Sequence, residues 1–496
     1  MGVLKFQFDP PDLAAQLPEL RLAYFTGLDR TPDRTDVDVR PGQLVCSREG
    51  PESGRLNVSW PVAGHGAPVL TTATLAERDA PFELAIELAR GRLNILRNQA
   101  ADWKQLGLAC PEEFDRLSSE SERMFGRAAI SHHDRKVANE SARLSLEKAV
   151  LASQMLVDAY TEQVLRRRLE ITPRLPTLLS CSLPGDPSRT AGMAQLSPAI
   201  NTLQIDCPWS RLAPAAGRFR WDEFDAQLSW ARLSRLLPTA GPLIDLRPGA
   251  LPDWLWLWSG DYDQIMNLVE DLVREAVGRY RGKVAVWHLL HRVGSGEILG
   301  LTEEEQFRIT ARSLQVARRA DPNAQLIVDF DRPWGDWLAT SHLQIGPLHL
   351  ADSLARLELG MTGIGLEIAP GYDPLGSLVR DPLEFSRLLD LFSLINLPIF
   401  VSFAIPSATG PDPKADSGVS VSRSQWPSPW TEPLHAEWVA RWLALAVAKP
   451  FVRGVHWTQA SDAQPHLFPH AGLLRPDHSA KPVVKWLEGF RSKYLE

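Results

Sequence analysis

Ten side chains hold most of the chemistry this sequence could perform: Asp206, Asp245, Arg247, His288, His291, Arg292, Asp329, Asp331, Glu367 and Asp462. They fall at or shortly after short apolar, β-prone runs. Asp245 and Arg247 are two residues apart, as are Asp329 and Asp331, so on an extended strand each pair faces one side. Carboxylates held that way can move protons, and an Asp–Arg pair can equally be a structural ion pair. Glu367 has two readings: a displaced acid or base with Asp329 or Glu297 as partner, or a salt-bridge partner for Arg292. His288 and His291 are three apart and point to opposite faces of a strand, which does not suit a zinc pair. No metal and no other cofactor is expected.

Tryptophan adds a second kind of site. Fifteen of the 17 Trp lie beyond residue 200, and sugar rings stack on indole faces. Trp254, Trp256 and Trp258 recur at period two and could form an apolar wall. Trp221, Trp230, Trp438, Trp442 and Trp486 fall in helical stretches and read as core.

The elements that must position these groups follow from composition and pattern. The chain has 496 residues with a formal charge of −7, and 44% of its residues are hydrophobic. A weakly acidic surface speaks against duplex nucleic acid or an anionic membrane as partner. Cys46, Cys110, Cys181 and Cys207 are scattered without C-x-x-C spacing, so neither a disulfide framework nor a structural zinc is expected. The first residues, MGVLKFQFDPPDLAAQ, lack the apolar stretch of a signal peptide. No 18-residue apolar run occurs, and the expected location is cytoplasmic.

Residues 1–78 alternate polar and apolar side chains between turn formers, which predicts a small β-sandwich-like domain, either carbohydrate-binding-module-like or a cap. Residues 79–172 are rich in Ala, Leu, Glu, Arg and Gln and predict a helical hairpin or small bundle, with Leu144, Leu151 and Met155 on one apolar stripe. His132 and His133 fall between the helices and read as loop residues. From 173 to 496, eight β-prone runs alternate with helical stretches. That count predicts an α/β fold closed into a (β/α)8 TIM barrel. A long stretch rich in Pro, Ser and Gly, 406–433, carries Trp426 and Trp430 and reads either as a lid over the barrel mouth or as a floppy excursion.

The order of short signatures along this barrel resembles glycoside hydrolase family 10, the endo-β-1,4-xylanases. The similar pieces include Gly217-Arg-Phe-Arg-Trp-Asp-Glu-Phe-Asp225, Leu251-Pro-Asp-Trp-Leu255, Arg279-Tyr-Arg-Gly-Lys-Val-Ala-Val-Trp287 and Ala317-Arg-Arg-Ala-Asp-Pro-Asn-Ala-Gln-Leu326. Gly363-Ile-Gly-Leu366, Leu397-Pro-Ile399, Gly454-Val-His-Trp457 and Gly472-Leu-Leu474 continue the series collinearly. The resemblance implies an oligosaccharide or β-glycan ligand and sets Asp206, Trp209, Trp254, His288, Arg292, Asp329, Glu367 and Trp457 around the sugar.

It also implies a loss. The family's acid/base Glu, ending W-D-V-V-N-E, aligns with Arg292 in Trp287-His-Leu-Leu-His-Arg292, and its nucleophile Glu, in T-E-L-D, aligns with Phe403 in Ser402-Phe-Ala-Ile405. A guanidinium stays protonated and has no acceptor; a phenyl ring offers neither proton nor lone pair. The expectation is a xylanase-like barrel that serves as a glycan-binding or structural pseudoenzyme. An active glycosidase built on Glu367 and a cytoplasmic protein-interaction scaffold are the alternatives.

Overall fold

The computed structural model describes every residue except 1, 28, 132, 184 and 189, so His132 lies outside the described residues. The alternating first part forms β1 (Gly2–Gln7), a short helix α1 (Leu13–Gln16), β2 (Tyr24–Thr26), β3 (Pro32–Asp33), β4 (Asp36–Arg40), β5 (Gln43–Arg48), β6 (Arg55–Ser59), β7 (Val69–Thr71) and β8 (Phe82–Glu83). They pair as two four-stranded sheets, ordered β4-β5-β1-β8 and β3-β2-β6-β7. Alternation along β1 and β5 buries Leu4, Phe6, Leu44 and Cys46 on one face.

Three helices follow: α2 (Leu84–Gln105), α3 (Glu112–Ile130) and α4 (Arg135–Ile171). The sheet core continues into them through Leu84, Leu88, Leu146 and Val150. The buried stripe of α4 differs from the expected one: Leu151 is exposed, and Ala142, Ser145, Leu146, Ala149 and Val150 face inward. Small residues win this face because α3 approaches closely, with the Ser121 hydroxyl donating to the Ser145 carbonyl at 2.8 Å. Further along, Trp103, Leu156 and Leu165 join the barrel's core instead. A buried ion pair, Arg92 Nη1 to Asp381 Oδ2 at 2.6 Å, ties α2 to the barrel.

The barrel strands are β9 (Leu178–Leu183), β10 (Thr202–Ile205), β11 (Leu237–Ala240) with β12 (Ile244–Asp245), β13 (Val286–His291), β14 (Gln325–Phe330), β15 (Gly363–Ile368), β17 (Ile399–Phe403) and β19 (Val452–Trp457). All pair in parallel. β19 returns to β9, and β11 bridges β10 and β13, so the sheet is a closed (β/α)8 barrel. The third strand begins at Leu237, not at Pro242, and breaks at Gly241. There the backbone takes φ 126° and runs so close to β13 that a Cβ would sit 2.2 Å from the His288 carbonyl oxygen.

Between the strands lie α5 (Trp209–Leu212), α6 (Asp222–Leu233), α7 (Tyr262–Arg279), α8 (Glu303–Ala320), α9 (Pro347–Arg356), α10 (Pro382–Ser393), α11 (Glu432–Ala448) and α12 (Pro482–Tyr494); a 3-10 turn, Met193–Ala199, makes the first crossover. Thr302 and Glu305 close a reciprocal capping box that starts α8. The 406–433 segment is packed down. β18 (Ser420–Val421) pairs with β16 (Tyr372–Asp373), Trp426 is buried against Trp430 and Trp438, and the Ser422 and Ser424 hydroxyls donate to Glu19. No helix among the described residues is long and apolar enough to cross a membrane.

Candidate functional site

Two local features of the strands decide which side chains reach the barrel mouth. The first is parity on β17 and β19. Their register pairs Ser402 with His456 and Phe403 with Trp457. Ser402 and His456 line the cavity at the mouth. Phe403 turns outward, fully buried, and meets Phe385 of α10 edge-on at 5.9 Å. Trp457 also turns outward and donates its indole N–H to the Ala471 carbonyl at 2.8 Å. The motif alignment had put Phe403 and Trp457 at the sugar; the pleat puts their neighbours there. Apolar Ile399, Val401 and Phe403 at period two must face the helix layer, so Ser402 is left facing in.

The second feature is a register shift on β13 between His288 and Leu290. It breaks the simple alternation, so His288 and His291 both point into the barrel and not to opposite faces. His288 lies deep, with Nδ1 2.8 Å from Asp329 Oδ1 and its ring edge-on to Phe400. His291 lies higher and lines the mouth.

At the centre of the mouth stands Arg292, with φ 63°, a left-handed conformation that L side chains rarely adopt. Its guanidinium joins two strands. Nη1 donates to Asp245 Oδ1 and Oδ2 at 2.7 and 2.8 Å, and Nη2 donates to Glu367 Oε1 and Oε2 at 2.9 and 3.1 Å. Nη1 also lies 3.1 Å from His291 Nδ1. Asp245 further accepts from Arg247 Nε at 2.8 Å, and Asp331 accepts from Arg332 Nε at 2.8 Å. Burial would raise the Asp245 pKa, yet Arg292, His291 and Arg247 outweigh it and hold it at about 2. Asp331 is lowered in the same way against its burial, by Arg332 and Arg292. Arg292 is raised despite burial, by Asp245 and Glu367.

A second polar layer lies beneath. His456 sits between two hydroxyls, Nδ1 2.9 Å from Ser180 Oγ and Nε2 3.1 Å from Ser182 Oγ. Burial, with His288 nearby, pushes its pKa down to about 3, so the ring is neutral at physiological pH. Gly365 makes this layer possible: any Cβ there would sit 1.7 Å from Asp329 Oδ1.

The cavity over these layers measures about 430 Å³. Asp206 reaches its rim and pairs with Arg211. Trp209 and Trp254 pack edge-on behind the wall, and the Trp254 N–H donates to the Ala213 carbonyl at 2.8 Å. Neither is among the lining residues, so the expected indole platform at the mouth is absent among the described residues; Phe468 contributes a ring there instead. Trp256 and Trp258 lie exposed on a 3-10 turn, which removes the period-two wall. Ser402, His456 and Arg211 escaped the sequence reading. The signal for His456 was present in Gly454-Val-His-Trp457, one position before the residue chosen.

Asp412, Asp462 and His466 have ligand atoms within 4.8 Å of one another. Their oxygens are committed: Asp462 accepts from Lys481 at 2.6 Å and from Gln459 and the Gly472 N–H, and Asp412 accepts from the His470 N–H and faces His466 Nε2 at 3.0 Å. An ammonium already supplies the positive charge, and this donor set does not fit a cation.

No family model matches the chain. An endo-1,4-beta-xylanase of Agaricus bisporus is 24% identical over 164 residues, which is 32% of this chain and 47% of that protein. The chain thus spans about half the length of that curated relative. Xylanase 10B of Thermotoga maritima aligns with 65% of this chain and 97% of its own at a TM-score of 0.49 and 15% identity. Xylanase 10B of Thermotoga petrophila, solved with xylobiose, aligns with 68% and 97% at a TM-score of 0.47 and 14% identity. The likeness is to family 10 xylanases. What surrounds Arg292 is the closed (β/α)8 barrel that the strand pairing shows.

Proposed function

We propose that the barrel mouth binds a carbohydrate and does not cleave it by the retaining route. The observation that carries this reading is Arg292 donating to Asp245 and Glu367 at once. Retaining hydrolysis sets two carboxyl groups ~5–5.5 Å apart, one able to give a proton and one free to attack. Here both oxygens of each carboxylate accept from one guanidinium that lies between them. Glu367 is thus engaged on both oxygens by a cation, not left free to act as base or nucleophile. Strand β17 presents the Ser402 hydroxyl to the cavity, and the lining carboxylates Asp206, Asp245, Asp329 and Glu367 each pair with an arginine or a histidine.

The ligand class comes from the motif resemblance and from the lining. Charges at the mouth pair locally, Arg292 with Asp245 and Glu367, Arg247 with Asp245, Arg211 with Asp206. Such a surface offers many donors and acceptors without a strong net field, which suits a neutral polyol. The Ser182 and Ser402 hydroxyls are the natural donors to ring and exocyclic oxygens.

Calorimetric titration with xylobiose through xylohexaose, alongside a reducing-end assay on the same material, tests the reading. Saturable binding without release of reducing ends is expected. Turnover of xylan that is lost in Glu367→Gln would overturn it, as would silence across xylo-oligosaccharides and a broad glycan array.

A further inference from the structure

A second cavity, sharing no lining residue with the one at the barrel mouth, lies between the β3-β2-β6-β7 sheet and helix α10. Its floor is the polar face of that sheet. The registers Thr26↔Arg55 and Asn57↔Thr71 put these four side chains on one side. Asn57 fixes the floor, donating to Thr26 Oγ1 at 3.2 Å and accepting from Thr71 Oγ1 at 2.7 Å. The opposite wall brings Arg387 and Glu384 from α10. The space measures about 90 Å³, enough for several water-sized groups and too little for a sugar ring or a nucleotide.

What distinguishes it is the charge balance. Arg30, Arg55 and Arg387 all line it, and Glu384 is the single carboxylate among its lining residues. Glu384 is spoken for by Arg387 at 2.5 Å. The fourth arginine at the edge, Arg380, is satisfied by Asp336 and the Tyr24 hydroxyl. Among the described residues the Arg55 guanidinium reaches only Thr74 Oγ1, at 3.5 Å. Among the described residues the Arg30 guanidinium has no hydrogen-bond or ion-pair partner. It is delivered by a residue in the left-handed region, φ 66°. Partial desolvation lowers its pKa, the charges of Arg387 and Arg55 add to that, and Glu384 opposes them without reversing the direction.

Three guanidinium groups around a small polar space, two of them without a hydrogen-bonded carboxylate among the described residues, are the arrangement that holds a tetrahedral oxyanion through forked N–H donors. We propose that this cavity binds inorganic phosphate or the terminal phosphoryl group of a small monoester, gripped by Arg30, Arg55 and Arg387. The anion bridges β6, the turn after β2 and α10, and so fastens the N-terminal sheets to the barrel. Binding to the folded state alone raises stability with ligand concentration.

The experiment is thermal unfolding and calorimetry of the full chain in low-millimolar phosphate against potassium chloride at matched ionic strength, below the range of general salting-out. A saturable rise in Tm with phosphate is expected. Arg30→Asn removes the charge with a residue that tolerates the left-handed backbone, and should weaken the apparent phosphate affinity by about tenfold or more while leaving Tm in chloride unchanged or higher. Arg55→Gln should do the same. A methyl phosphate arm separates the two sources: equal affinity assigns the terminal group of an ester, and loss of binding assigns the free ion. Phosphate and chloride giving the same Tm would overturn the proposal. So would an unchanged phosphate response in both variants.

Discussion

Arg292 and Asp245 meet at the barrel mouth with Nη1 2.7 and 2.8 Å from the two carboxylate oxygens, both residues buried. The same guanidinium holds Glu367 by its other nitrogen. Three strands, β12, β13 and β15, are thereby pinned by one side chain. The positive φ at Arg292 is a strain that these contacts over-determine.

Breaking this cluster from its centre is predicted to be costly. Arg292→Met leaves Asp245 and Glu367 as buried charges with their main counterion gone, a change that typically costs ~3–5 kcal/mol. Adding Asp245→Asn and Glu367→Gln to Arg292→Met neutralises both acids and should recover much of the loss. Urea denaturation of the single and triple variants checks the sign. A triple variant no more stable than Arg292→Met would show that packing, and not the buried charges, sets the cost.

The architecture was readable because eight runs with helical crossovers leave few alternatives to a closed barrel. The site was readable only in part, and the reason is geometric. Asp245, Arg292, Asp329 and Glu367 end apolar strands and do converge at the mouth. Phe403 and Trp457 were misplaced because a motif alignment fixes position along a strand but not which face of the pleat a residue takes. A shift of one residue exchanges wall and core. The β13 register shift that brings His288 and His291 to the same side leaves no mark in residue type. The Trp residues expected at the cleft are consumed by packing, since a buried indole that can donate to a carbonyl is already satisfied.

Acid sensitivity should begin near pH 6.5 and have two named sources. Burial holds the His456 and His435 pKa values at about 3, with His288 and Lys481 respectively adding to it. Unfolded histidine takes up a proton below about 6.5, whereas these two do so only near 3. The unfolded state therefore binds more protons in that window, so stability is complete above it and falls as pH drops. Each group removes about 1.36 kcal/mol per pH unit, on the order of 2–3 kcal/mol by pH 4.5. Denaturation midpoints at pH 7.5, 6.0 and 5.0 should show the slope, and His456→Gln should roughly halve it. Flat stability across this range would contradict the assignment.

Replacing Gly365 even by alanine is predicted to destabilise the barrel. Its missing Cβ is the space that Asp329 Oδ1 occupies, and the added methyl would lie 1.7 Å from that oxygen. Gly365→Ala must displace the carboxylate from His288 or spread β14 from β15. Overpacking of this kind costs ~1–3 kcal/mol, seen as a lower Tm with the barrel still folded. Gly489→Ala on α12, where a Cβ meets nothing within 4 Å, is the matched control and should leave Tm unchanged or raise it.

The pleat parity on β17 makes two adjacent substitutions diverge. Phe403 is fully buried against Phe385 in the helix layer, so Phe403→Glu places a carboxylate among apolar side chains with no cation among its named contacts. Loss of the ring and burial of an unpaired charge together should cost more than ~4 kcal/mol and abolish soluble folded protein. Ser402 faces the cavity, beside Glu367 in register, and a longer acid there can reach solvent in the mouth. Ser402→Glu should fold with only a modest drop in Tm and still release no reducing ends from xylan, because Arg292 offers no transferable proton to a departing sugar. Soluble yield, Tm and the reducing-end assay read all three outcomes. A folded Phe403→Glu protein beside an unfolded Ser402→Glu would reverse the parity on which the site's geometry depends.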